Sequence, residues 1–322
     1  MTALLLSALL SVQTASADNP KLAPLVAAEK AAGNEYLGRM RTSVRAMRAL
    51  RTMMDADELR TANDFHTASG LVFNVPAYEG RLLAHEFAMT ALMLGKKESG
   101  PRVKLTWDRL QHNGGHPTRF GAMTGRPDKD GTRTILDPDP DGPPPIIAQV
   151  LGGTAPEPAA ENAELKALME ADQADRQNLK TAADWDRMAD NDVPRRARVL
   201  AILREGKASS GADLYDAALV LQHGTGYRDY MLAHELCLGA IARGYAEAAW
   251  LVSRTYDRML ENGGHAQRYA TQSMGDAGGQ SFFIVSTDLP GPSDTMRKAF
   301  KSPTRTEAKK GYDDWLRTID AK

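Results

Sequence analysis

Residues 107–120, WDRLQHNGGHPTRF, recur at 256–269 as YDRMLENGGHAQRY. Moving outward at this offset of 149 residues, Asp64 to Pro143 lies over Asp213 to Pro292 without a gap. Leu83-Ala84-His85-Glu86 falls on Leu232-Ala233-His234-Glu235, Tyr78 on Tyr227 and Gly95 on Gly244. Downstream, Ile135, Asp139, Gly142 and Pro143 meet Ile284, Asp288, Gly291 and Pro292. About a third of positions 64–120 are identical to their counterparts, far above chance for an ungapped block. The chain therefore reads as a tandem duplication. Its period is too long for a solenoid unit, where repeats run roughly 20–50 residues, so each copy reads as a small domain.

Helical periodicity fills most of each copy. In the second, Pro194 suits a first helical position and Gly206 a stop; further helices are expected over about 212–222, 227–243 and 246–261. In the first, Pro76 opens a helix that Gly95 ends, and Gly114-Gly115 closes the next, as Gly263-Gly264 does later. After each Gly-Gly pair the pattern shifts to short β-prone runs, Ser281–Ser286 and the weaker Thr132–Leu136. Thr304–Asp320 is expected to form a last helix that packs Trp315 and Leu316 onto the body. The predicted fold is mainly α: two tandem homologous helical bundles, each with a short hairpin or extended loop after its last core helix. The copies occupy 18–150 and 161–322, joined by a Pro/Gly-rich linker at 151–160.

The N-terminus reads differently. Leu4–Val12 is an apolar run followed by Ala15-Ser16-Ala17, the h-region and cleavage site of a signal peptide, with the mature chain beginning near Asp18. No Lys or Arg precedes that run, as a complete signal would require. A secreted or periplasmic location is expected, with no transmembrane segment once the signal is removed. A single cysteine, Cys237, excludes an intrachain disulfide framework and multi-cysteine metal sites. It lies between Leu236 and Leu238 and reads as core. A net charge of −1 argues against a nucleic-acid partner bound by whole-domain charge. The arginines of 39–51 read as a solvated helix face.

No phosphate-cradling glycine loop and no serine-hydrolase elbow is present, and no cofactor is expected. His85-Glu86 and His234-Glu235 lack the second histidine of a zinc-protease motif, since Met89 and Leu238 stand in its place; no metal site is expected. They read as histidines bridging neighbouring helices, with the glutamates facing solvent. Gln222-His223, Asp257-Arg258 and the segment Gly264–Gln272 form a richer constellation. His223 or His265 could move a proton and Asp257 could orient it. Arg258 and Arg268 could hold a carboxylate or phosphate through their forked donors, with Gln267, Tyr269, Thr271 and Gln272 completing a polar pocket. Equally, Asp257-Arg258 can be a clamp that holds the loop after the glycines. In the first copy Phe73, Asn74, Thr118, Ala122 and Met123 replace Gln222, His223, Gln267, Thr271 and Gln272. Any single working site is therefore expected in the second copy.

Gln222-His223, Asp257-Arg258 and Gly264-x-x-Gln267-x-Tyr269-x-Thr271-Gln272 resemble the pattern of a bacterial domain family of unknown function. Asp172-Gln173 and Asp175-Arg176 resemble that family's start. The similarity spans roughly residues 170–300; Ala266 and Ala270 depart from it, where the family has Pro and Gly. The resemblance implies a helical fold and a polar site around His223 and Gln272, without a reaction. Two functions follow: a cell-envelope module binding a small molecule or envelope component, or a hydrolase using His223 and Asp257 with Arg258 or Arg268 as anion stabiliser.

Overall fold

The computed structural model describes residues 18–320 except 126–127, 178, 276–280 and 284–290. The candidate signal peptide thus lies outside the described residues. The protein is mainly α-helical. Helix α1 (Leu22–Ala31) is followed by α2 (Tyr36–Asp55), α3 (Ala62–Leu71), α4 (Tyr78–Met93) and α5 (Gly100–Asn113). After a long loop come α6 (Pro145–Gly152), α7 (Ala163–Arg176), α8 (Ala182–Arg204), α9 (Gly211–Leu221), α10 (Tyr227–Ala242) and α11 (Ala249–Asn262). A short ladder of three residue pairs, β1 (Ser273–Gly275) on antiparallel β2 (Ser281–Phe283), precedes α12 (Asp294–Ala299) and α13 (Arg305–Asp320).

The helices recur at the sequence offset. Helices α4 and α5 and the short 3-10 turn between them begin and end 149 residues before α10, α11 and their turn. Helices α2 and α8 end at equivalent residues, Asp55 and Arg204. Local chemistry explains the shared boundaries. Thr61 and Asp64 form a capping box at the start of α3, and Ser210 and Asp213 form one at the start of α9. The turns after α5 and α11 need a left-handed residue, supplied by Gly115 and Gly264, both at φ 79°.

Helix α8 departs from expectation: it starts at Ala182, not at Pro194, because a Thr181–Asp184 capping box nucleates it earlier. Pro194 lies inside it and deletes one main-chain hydrogen bond there. The 132–136 run forms no strand, only an isolated bridge of Ile135 with Thr124. The 281–286 run supplies β2, and its last three residues lie outside the described set. Leu316 remains partly exposed, and the side chain of Trp315 lies outside the described set.

One apolar core crosses both copies. Met89, Val103, Trp107 and Leu110 pack in the same cluster as Leu214, Leu236, Cys237, Leu251 and Tyr256. A second core, around Leu50, Phe65 and Phe87, belongs to the first copy but receives Met296 from α12. The chain end thereby straps across the first copy, where Thr295 bonds Asp57 and Arg305 pairs with Asp55.

The contacts between copies come in pairs related by the same offset. Arg119 grips Glu235 through Nε and Nη2 at 2.8 and 2.9 Å, and Arg268 grips Glu86 through the same atoms at 2.6 and 3.0 Å. His116 stacks on Tyr227 at 3.9 Å and His265 on Tyr78 at 4.3 Å. At the centre His85 Nε2 lies 3.4 Å from His234 Nε2. Such self-complementary pairing is the signature of a two-fold interface, here formed within one chain. The two glutamates, expected in solvent, are completely buried. Each is tolerated there because a bidentate guanidinium neutralises it.

Candidate functional site

The second copy carries an open cleft of about 800 Å³ between α7, α8, the turn after α9, and the end of α11. Gln222, His223, Arg258 and Gln272 all line it, as the sequence expects. Arg176, Trp185, Asp192, Tyr230 and Glu261 complete the walls. The Trp185 ring, 55% exposed, stands on the first turns of α8, where the capping box has placed it.

His223 is half-buried, and its Nδ1 lies 3.0 Å from Asp172 Oδ2. The structure thus pairs His223 with Asp172 and not with Asp257. Asp172 is itself fully buried and held by Gln173 Nε2 at 2.8 Å and by Arg176 at 3.0 Å. Arg176 also grips Asp192, which Arg195 shares at 2.9 Å. With Nδ1 committed to the carboxylate, the imidazole's Nε2 is its remaining polar atom, the arrangement by which a carboxylate fixes a histidine's tautomer and orientation.

Arg258 has a different environment. Its Nε donates to Gln272 Oε1 at 2.8 Å and its Nη1 to the Gln222 carbonyl at 2.6 Å. Among the described residues it forms no salt bridge. Burial lowers its pKa, since a desolvated charge with neutral partners is costly. Gln267 acts one step back: its amide brackets the main chain of Gln272, with bonds of 3.0 and 2.9 Å, and so sets the position of that side chain.

The other expected residues lie elsewhere. Asp257 is completely buried, and its two oxygens accept from the amides of Arg268, Tyr269 and Thr271 and from the Thr271 hydroxyl. Burial raises its pKa while these donors oppose the shift. Asp108 accepts from Arg119, Phe120 and Ala122 in the same way, so this aspartate organises the loop in both copies. Arg268 is spent on Glu86, and its charge is held despite burial by that carboxylate. Tyr269 is buried against Tyr256 and Phe300. His265 faces Tyr78, and His234 sits at the centre between copies, so neither joins His223. Among the described residues no cluster of three or more His, Cys, Asp or Glu side chains is arranged to hold a metal ion. Cys237 is buried, and burial pushes its thiol pKa up.

Sequence reasoning did not assign Asp172, Arg176, Trp185 or Tyr230. The first two stand in the Asp-Gln and Asp-Arg pairs that open the resemblance, a signal that was available. Nothing in the local pattern marks Trp185, because only packing decides that α8 turns its first residues toward His223. Among the described residues no helix is long and apolar enough to cross a membrane. No protein-family model matches the chain, and neither a curated protein nor a solved structure is detectably similar to it.

Proposed function

We propose that the protein is an exported binding module of the cell envelope, built by duplication, whose second copy holds a small anionic ligand in the cleft beside Trp185. The observation that carries this reading is Arg258: a largely buried guanidinium on the cleft wall, held by neutral oxygens and, among the described residues, lacking a carboxylate partner. A carboxylate or phosphate group is the natural counter-charge. The exposed Trp185 ring beside it offers a flat apolar wall for the rest of the ligand. Export rests on Leu4–Ala17 alone. The family resemblance supports a polar site here, since its Gln-His, Asp-Arg and Thr-Gln elements flank this cleft.

A second reading is favoured by the His223–Asp172 contact. A histidine held by a buried carboxylate can activate water, and Arg258 could stabilise the anion formed in hydrolysis. In that form Asp172 takes the orienting role expected of Asp257.

Calorimetric titration of the full chain with benzoate and phenyl phosphate tests the binding reading. Saturable binding that Arg258→Gln weakens at least about tenfold, a loss of about 1.4 kcal/mol, supports it; binding indifferent to Arg258 overturns it. Hydrolysis of an ester panel, abolished by His223→Ala and reduced by Asp172→Asn, would select the enzyme. N-terminal sequencing of the protein from an envelope fraction tests export, with Asp18 the expected first residue.

A further inference from the structure

We propose that the first copy holds a second anion site, specific for a phosphate group, at the positions equivalent to the cleft of the second copy. The comparison of copies suggests degeneracy, because Asn74 replaces His223 and Phe73 replaces Gln222. Other cleft positions differ in charge as well. Trp185 corresponds to Tyr36, Met188 to Arg39, Asp192 to Ser43, Tyr230 to Arg81, Arg258 to Arg109 and Glu261 to His112. The aromatic at the rim is retained, and Tyr36 is 70% exposed. Both acidic positions are lost; arginines are gained at positions 39 and 81, and one is lost where Ala27 stands for Arg176.

The fold gathers these groups on Phe73. The Arg109 guanidinium stacks over its ring at 4.0 Å, and that of Arg102 lies 5.9 Å from the ring centre. Arg81 donates to its carbonyl. Burial and the neighbouring charges of Arg81 and Arg39 draw Arg109 down to about 10, with Tyr36 acting on both Arg81 and Arg109 in the opposite sense. Among the described residues none of Arg39, Arg81, Arg102 and Arg109 forms a salt bridge. Asn74 Nδ2, Arg81 Nε and Arg109 Nε are buried donors that meet no acceptor among the described residues. Unpaired donors and uncompensated buried charge each cost free energy, and the buried Arg268 and Arg119 are each neutralised by a glutamate, Glu86 and Glu235. An oxyanion with two negative charges supplies both the acceptors and the counter-charge. A phosphate group does so better than a singly charged carboxylate. Phe73, Asn74 and Arg109 are only partly buried, so the cluster reaches the surface.

The inference does not depend on the ligand of the second copy, and the test separates them. The full chain carrying Arg258→Gln, which disables the other cleft, is titrated at low salt with inorganic phosphate, phenyl phosphate and acetate. Phosphate is expected to bind at least about tenfold tighter than acetate, and Arg109→Gln added to this background to weaken phosphate at least about tenfold. Phenyl phosphate binding better than inorganic phosphate, with the gain lost in Tyr36→Ala, identifies an ester ligand; equal binding identifies the free ion. Arg39→Gln, on a half-buried helix face, provides the same readout with a smaller loss should Arg109→Gln fail to fold. Absence of phosphate binding, or binding unchanged by both Arg109→Gln and Arg39→Gln, overturns the proposal.

Discussion

Arg268 and Glu86, 182 residues apart in sequence, form a two-pronged ion pair almost wholly shielded from solvent. With its offset counterpart, Arg119 and Glu235, it ties the copies together where neither charge could stand alone. Glu86→Ala therefore leaves a buried guanidinium unpaired and is expected to cost about 3–5 kcal/mol. Replacing both partners, Glu86→Leu with Arg268→Met, should cost markedly less. Urea unfolding of the single and double variants checks this; equal losses would refute the pairing.

The histidine pair makes the same interface acid-sensitive. His234 Nδ1 can donate to the Val252 carbonyl, and His85 Nε2 to His234 Nε2, so both rings are satisfied when neutral. Burial holds His85 well below its usual pKa and His234 down to about 3. The unfolded chain takes up protons below about pH 6.5 that the folded chain refuses, so stability falls as pH drops below that value. Each refused proton contributes a slope of up to about 1.4 kcal/mol per pH unit. Unfolding curves between pH 7 and 5 should show this slope, reduced in His85→Gln.

Asp257 separates a clamp from a catalyst. Asp257→Asn turns one of its acceptor oxygens into a donor facing loop donors, and about 2–3 kcal/mol of stability should be lost. Ligand affinity of the folded fraction is expected to stay within about threefold. A folded, stable but inactive Asp257→Asn protein would instead restore this residue to the chemistry.

Ala270 has φ 57°, and its counterpart Gly121 has φ 63°. A side chain in this left-handed region is strained, and the equivalent position 149 residues earlier holds glycine. Ala270→Gly should stabilise the protein by about 0.5–1 kcal/mol, read as a rise in melting temperature. A fall would show that the loop is not built as described.

Trp185 is the exposed aromatic of the cleft. Ligand-dependent change in intrinsic fluorescence is expected to vanish in Trp185→Phe while Trp107, fully buried with its Nε1 on Glu235, contributes none. Persistence of the signal would move the ligand away from this wall.

Much of the candidate site was legible because it sits on short-range chemistry. Gln222 and His223 follow the end of one helix, and Arg258 and Gln272 flank a Gly-Gly turn, so spacing alone placed all four near one mouth. Asp172 escaped assignment because its contact with His223 spans 51 residues. The solvent-facing assignment of Glu86 and Glu235 failed for a related reason. Their arginine partners lie in the opposite copy, and no local pattern announces a charge that is neutralised from so far away.

The core helices of each copy and their 149-residue recurrence were readable from the chain alone, since capping residues, glycine stops and apolar periodicity act over a few residues. Which copy's arginine meets which glutamate, that His85 faces His234, and that Asp172 rather than Asp257 holds His223 follow from tertiary packing alone. Those choices depend on how two similar surfaces pack, and desolvation makes a buried charge accept only the partner that packing brings within hydrogen-bond reach.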